Sequence, residues 1–182
     1  MEVREFDEFV KRQHGGAVAA AQYDWERERD EWLAYLKFLY QTIETLLSKY
    51  TSAGQIQISY KSVELNEEDI GVYVAERMIL RIGRQEVDLV PAGTRFIGFK
   101  GIVDVIGSAG KSSLVLANKD RTSAVPRMTV RILTGGIPPA EPVEPEVKIE
   151  WVWRILARPP ERQLVELTHE SFYQLIMEVT NG

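Results

Sequence analysis

The sequence predicts an α+β protein: a curled antiparallel sheet or half-open barrel of about seven strands, with a long N-terminal helix and a short C-terminal helix. Three observations carry this. Between Gly71 and Ala117 four closely spaced stretches, GVYVAERMILRI, QEVDLVP, TRFIGFKGIVDVI and KSSLVLA, are joined by glycine-marked turns, and most alternate apolar and polar residues. That alternation is the period of a half-wet strand and favours antiparallel pairing. The helical patterns are segregated to the two ends of the chain, which favours α+β over alternating α/β.

The totals suit one compact unit. At 182 residues, 45% of them hydrophobic and 27% charged, the chain has ordinary globular composition. A chain of this size hides roughly 70% of its extended surface on folding. The formal charge of -5 argues against a protein that grips a nucleic-acid backbone, which normally carries a basic face. With no cysteines, disulfides, thiolate metal sites and cysteine nucleophiles are excluded. The N-terminus, MEVREFDEFVKRQ, lacks the apolar core of a signal peptide. The most lipid-like window, WLAYLKFLYQTIETLLS, is short and carries Lys37 and Glu44, so it reads as a packed helix rather than a membrane span. A cytoplasmic protein fits all of this.

Taken in order, residues 2–13 read as a short amphipathic helix with Val3, Phe6, Phe9 and Val10 on one side, weakened at Gly15 and Gly16. From Ala17 to about Ser52 there is neither Gly nor Pro. Trp25, Trp32, Leu36, Leu39, Ile43, Leu46 and Tyr50 recur at spacings of seven, four and three, and Leu33, Tyr35, Phe38, Tyr40 and Leu47 widen the stripe. A coiled-coil seam is narrower. This helix therefore should touch both its own sheet and something else, either the short first helix or a second copy of the chain. Gly54 is a stop signal. The division is an N-terminal helical segment over 1–54 and an antiparallel β domain with its C-terminal helix over 55–182, the two forming one structural unit.

QIQISYKS is the first strand, and VELNEEDIG reads as a loop. In the next strand Val72, Val74, Met78, Leu80 and Ile82 share a face with Glu76 among them. Gly83–Arg84 is short enough for a hairpin. Thr94 to Ile106 is long for one strand and contains Gly98 and Gly101, so a bend is expected. MTVRIL is a further short strand. IPPAEPVEPEV, with four prolines in eleven residues, is an extended surface connector. VKIEWVWRILAR places Val147, Ile149, Trp151, Trp153 and Ile155 on one face, ended by Pro159–Pro160. QLVEL is short. Thr168 caps a last helix whose stripe is Phe172, Leu175, Ile176 and Val179.

Two motifs invite catalytic readings and fail on inspection. GSAGKSS, residues 107–113, lacks the first glycine of a phosphate-binding loop, since Val105 stands there, and a strand-like run follows it. A hairpin turn with a solvent-facing lysine fits better. Ser108 to Lys111 also fits S-x-x-K, but that motif needs the serine to open a helix. His14 and His169 are the only histidines, and neither has a second at ligand spacing. No catalytic residue, metal ligand or cofactor is assigned.

Charge on apolar strand faces is more informative. Phe96, Ile102 and Ile106 share a face with Lys100 and Asp104, and Glu76 lies between Val74 and Met78. Lys100 and Asp104 would stand about 13 Å apart along an ideal strand, so each needs a partner from elsewhere. Either a bulge at Gly98 or Gly101 turns them to water, the better-supported option, or Glu76, Lys100 and Asp104 line a small-ligand pocket in the curled sheet. Trp151 and Trp153 could stack bases, but their apolar neighbours favour core packing.

The leading expectation is a non-catalytic binding or interaction module that forms a homodimer through its long helix. The alternative is a small-ligand-binding protein or enzyme with a polar pocket in the sheet. Any protein or small-molecule partner is unidentified, nucleic acid is disfavoured, and no membrane contact is expected.

Overall fold

A computed structural model describes residues 3–94, 96, 98–121, 149–158 and 162–181. The elements in order are α1 (Val3–Ser52), β1 (Ile56–Glu67), β2 (Gly71–Ile82), β3 (Gln85–Gly93), β4 (Gly101–Gly107), β5 (Gly110–Asn118), β6 (Trp151–Leu156), β7 (Leu164–Glu166) and α2 (His169–Asn181). The strands form one antiparallel sheet in chain order, not closed on itself. This is the expected α+β class. MTVRIL, the whole proline connector and Pro159–Pro160 lie outside the described residues.

α1 runs unbroken through Gly15–Gly16 for 50 residues, so the separate short helix over 2–13 does not exist. Each glycine costs about 1 kcal/mol inside a helix, whereas a new helix must be nucleated afresh, and propagation wins. The helix ends where Gly54 takes a φ of 71°, a left-handed turn that glycine adopts without strain. There the Gln55 N–H donates to the Tyr50 carbonyl at 2.9 Å.

β1 continues to Glu67, through residues expected to be a loop. Val63 and Leu65 alternate with Glu64 and Asn66, which is strand period, and the turn occupies only 68–70. β1 and β2 pair without a slip from Ile56↔Ile82 to Glu67↔Gly71. β2 and β3, in contrast, pair only from Met78↔Leu89 to Ile82↔Gln85. Beyond Met78 the hairpin is a two-stranded ribbon, and such ribbons twist more than wide sheets. The consequence shows in burial. Met78 and Leu80 face the core, but further out Tyr73 and Ala75 do, while Val72 and Val74 are 61% and 60% exposed. The single apolar face expected for Val72, Val74, Met78, Leu80 and Ile82 is thus split by twist.

The long bent strand expected over Thr94 to Ile106 is also revised. Only Gly101–Gly107 is strand, and the preceding segment is irregular, with Gly98 at a φ of 87°. The core lies on one face of the sheet. α1 contributes Trp32, Leu36, Leu39, Ile43 and Leu46, and α2 contributes the expected Phe172, Leu175, Ile176 and Val179. Thr168 caps α2 as expected, its hydroxyl accepting from the Ser171 N–H at 3.2 Å. The helices join where the Tyr173 hydroxyl donates to the Leu46 carbonyl at 2.7 Å. Trp153 and Ile155 belong to this core. On the opposite face by register, Ile79, Val115 and Ala117 are also buried but lie outside that cluster.

Trp32 sets the closest approach. Its ring lies on the backbone of Gly101, where a Cβ would overlap the six-membered ring. Gly101→Ala is expected to cost about 1–3 kcal/mol by overpacking. The check is a lower urea midpoint at unchanged slope; an unchanged midpoint would show that the indole can move aside.

Candidate functional site

The polar residues singled out on the strands go to three different places. Glu76 lines a recess of about 440 Å³ between α1 and the β1–β2 ribbon, with Leu33, Lys37, Tyr40, Gln41, Glu44, Tyr60 and Val74. Lys100 lines a separate cleft of about 630 Å³ with Trp25, Glu28, Thr94, Phe96, Phe99 and Trp151. Asp104 stands on the sheet face away from the helices, the same face as its register partner Ser113.

The recess exists because β2 and β3 part company there. Tyr40 reaches from α1 into the fork and donates its hydroxyl to the Glu76 carbonyl at 2.6 Å. That satisfies a carbonyl that β3 no longer reaches. Tyr60 packs against Tyr40 with ring centroids 5.7 Å apart, and its hydroxyl donates to Glu44 at 2.5 Å. Burial, with the nearby Tyr60 and Glu76 also contributing, pushes the Tyr40 phenol well above its ordinary range. Tyr60 is pushed the same way by desolvation, by its bond to Glu44 and by the carboxylates of Glu44 and Glu76. Near the ribbon's far end Glu67 accepts from Tyr73 and from both the N–H and hydroxyl of Thr94, at 2.9 and 2.6 Å for the latter two. Burial first, and then Glu67, raise the Tyr73 phenol. This latch ties the tip of the β1–β2 ribbon to the β3–β4 link.

Lys100 is held by α1. Its ammonium bonds Glu31 at 2.5 Å and lies over the rings of Tyr35 and Trp151 at 5.5 and 5.6 Å. Asp104 pairs with Lys111 at 2.7 Å and accepts from the Ser113 hydroxyl at 3.1 Å. Lys100 and Asp104 therefore find separate partners, and their side chains are 23% and 22% exposed. Sequence reasoning singled out Glu76 but missed Lys37, Tyr40, Glu44 and Tyr60 around it. The available signal was Lys37–Gln41–Glu44, a polar row at helical spacing beside Tyr40.

The GSAGKSS stretch forms the two-residue β4–β5 turn, and it meets the wrong end of a helix for phosphate. The Ala109 N–H donates to the Val179 carbonyl at 2.8 Å, and Ser108 bonds Gln85 and the Thr180 carbonyl. A phosphate site needs free N–H groups at a helix N-terminus. Here the turn's N–H is spent on the carbonyl end of α2, where the dipole is negative. Lys111 is bound to Asp104 rather than directed at Ser108, so no nucleophile–base contact forms. Among the described residues no three His, Asp or Glu side chains gather as metal ligands, and no helix is long and apolar enough to cross a membrane.

These features define a two-layer α+β protein with two helices on one face of an open antiparallel meander. No protein-family model matches the chain, and neither curated proteins nor solved structures show a significant match to it.

The raised phenols have a measurable consequence. A phenol whose folded pKa exceeds its unfolded value of 10.0 stabilises the fold fully below pH 10, and loses that contribution as pH rises toward the folded value. Phenolate absorbance should show Tyr40 and Tyr73, of seven tyrosines, silent until the chain unfolds in alkali. Tyr60, 38% exposed, should yield earlier. Smooth titration of all seven near pH 10 in the folded protein would contradict the buried geometry.

Proposed function

We propose that the protein is a non-catalytic interaction module that self-associates through α1. The observation behind this is the length of that helix. Fifty residues at 1.5 Å rise span about 75 Å, and among the described side chains of α1 the buried ones run from Trp32 to Leu47, about 24 Å. Helices in water draw most of their stability from a packed apolar face rather than from propensity. The sequence continues apolar positions beyond the packed stretch, at Val3, Phe6, Phe9 and Val10, and Phe38 is 62% exposed. A second copy packed along α1 supplies apolar cover, for Phe38 among the described side chains. The non-catalytic part of this reading rests on where the reactive side chains are used. Lys100, Asp104, Ser108 and Lys111 each serve a bond that holds the fold.

Light scattering on the full chain should give twice the 20.8 kDa chain mass at about 10 µM and above. Phe38→Asp, at an exposed position of α1, is expected to shift the mass toward one chain with the circular dichroism of the sheet unchanged. A single-chain mass persisting at the highest soluble concentration would end the reading.

A further inference from the structure

We propose that the recess beside Tyr40 is one half of a two-fold interface, in which α1 of a second copy crosses antiparallel and exchanges ion pairs between Lys37 and Glu44. This rests on the self-association through α1 argued above and places the contact on the C-terminal half of that helix.

The first support is charge. Lys37, Glu44 and Glu76 line one recess. Among the described residues no ion pair engages any of the three. Lys100, in the separate cleft, is by contrast closed within the chain by Glu31. A patch carrying both signs, each unspent within its own chain, is what a self-complementary contact requires, since under a two-fold axis residue i meets j and j meets i. Glu44 has a neutral tie already, to the Tyr60 hydroxyl, which fixes where its carboxylate stands.

The second support is spacing. Lys37, Gln41 and Glu44 fall on one helix face at intervals of four and three. An antiparallel crossing centred between Tyr40 and Gln41 places Lys37 and Glu44 about 5 Å on either side of the axis. Lys37 of each copy is then level with Glu44 of the other, at both ends of the contact. Apolar cover comes from the same surface. Val74 lines the recess, Val72 shares its strand face, and Phe38 stands beside Gln41 on the helix, all three being about 60% exposed. Glu76 adds a second negative group for the incoming lysine.

The test is a charge exchange in the full-length chain, read as the dissociation constant of the dimer by sedimentation. Lys37→Glu and Glu44→Lys should each weaken association at least about tenfold by setting like charges face to face. The double variant should recover most of the loss. Glu44→Gln keeps an acceptor for Tyr60 while removing the charge, so it separates lost pairing from lost folding, and it should weaken association with an unchanged unfolding midpoint. Added salt should weaken the wild type more than Glu44→Gln. If the wild type dimerises and all four variants match it, the recess is not the contact, and self-association through α1 stands without it. If both single variants weaken association and the double variant does not recover, Lys37 and Glu44 do not face each other. A monomeric wild type removes both proposals and leaves the recess to another occupant.

Discussion

The contact between Trp32 and the bare backbone at Gly101 is the constraint on which the rest of the structure turns. A helix carrying an indole this large can approach a sheet closely only where the sheet has no side chain in the way. Trp153 then packs against Trp32 with ring centroids 6.0 Å apart, and its indole N–H donates back to the Tyr35 carbonyl at 3.0 Å. One glycine thus fixes the height of α1 over β4, and Trp153 fixes it over β6. With the helix height set there, Leu36, Leu39, Ile43 and Leu46 follow down the same stripe, at intervals of three and four, onto the sheet.

The same placement explains why the sheet splits at the other end. A helix lying across one face keeps β2 and β3 together only where both can pack beneath it. At Met78 and Leu89 both strands are buried, and there they still pair. Past that point Tyr40 occupies the fork and takes over one carbonyl's hydrogen bond. β1 and β2 are then free to twist as a pair, turning Tyr73 and Ala75 inward and Val72 and Val74 outward. Glu67 stops the ribbon from swinging off by binding Thr94. The exposed valines and the recess are products of this one divergence, which is why they occur together.

How much of this could be read from the residues depended on the range of the cause. α2 was fully legible, because its stripe and its Thr168 cap are local signals on a helix with one covered face. The hairpins β2–β3 and β4–β5 were legible from their turns, for the same reason. The burial of β2 was not. Alternation gives the face of a strand relative to its neighbours in sequence, but not which way a twisted ribbon turns that face. Lys100 was flagged as needing a partner, yet Glu31 is 69 residues away on a helix, and no spacing rule connects them. Likewise the break before Gly101 required knowing that Gly98 takes a positive φ, which the presence of glycine permits without demanding. The candidate site was legible only as Glu76 and its strand neighbour Val74, since the remaining walls come mostly from α1 and from Tyr60 of β1 through the tertiary fold.

The β4–β5 turn shows why residue types alone mislead about chemistry. Glycine, serine and lysine in that order suit an anion when their N–H groups are vacant and a helix begins beyond them. In this chain the sequence after Lys111 continues as a strand, so the helix end that meets the turn arrives from elsewhere, and α2 arrives with its carbonyls. The turn's donors and the helix's acceptors satisfy each other, and a bound anion would displace those bonds while facing the negative end of the dipole. Both penalties act in the same direction. The turn is therefore best understood as the cap that seats α2 on the sheet: a serine hydroxyl and an alanine N–H closing carbonyls that would otherwise be left open at the helix end.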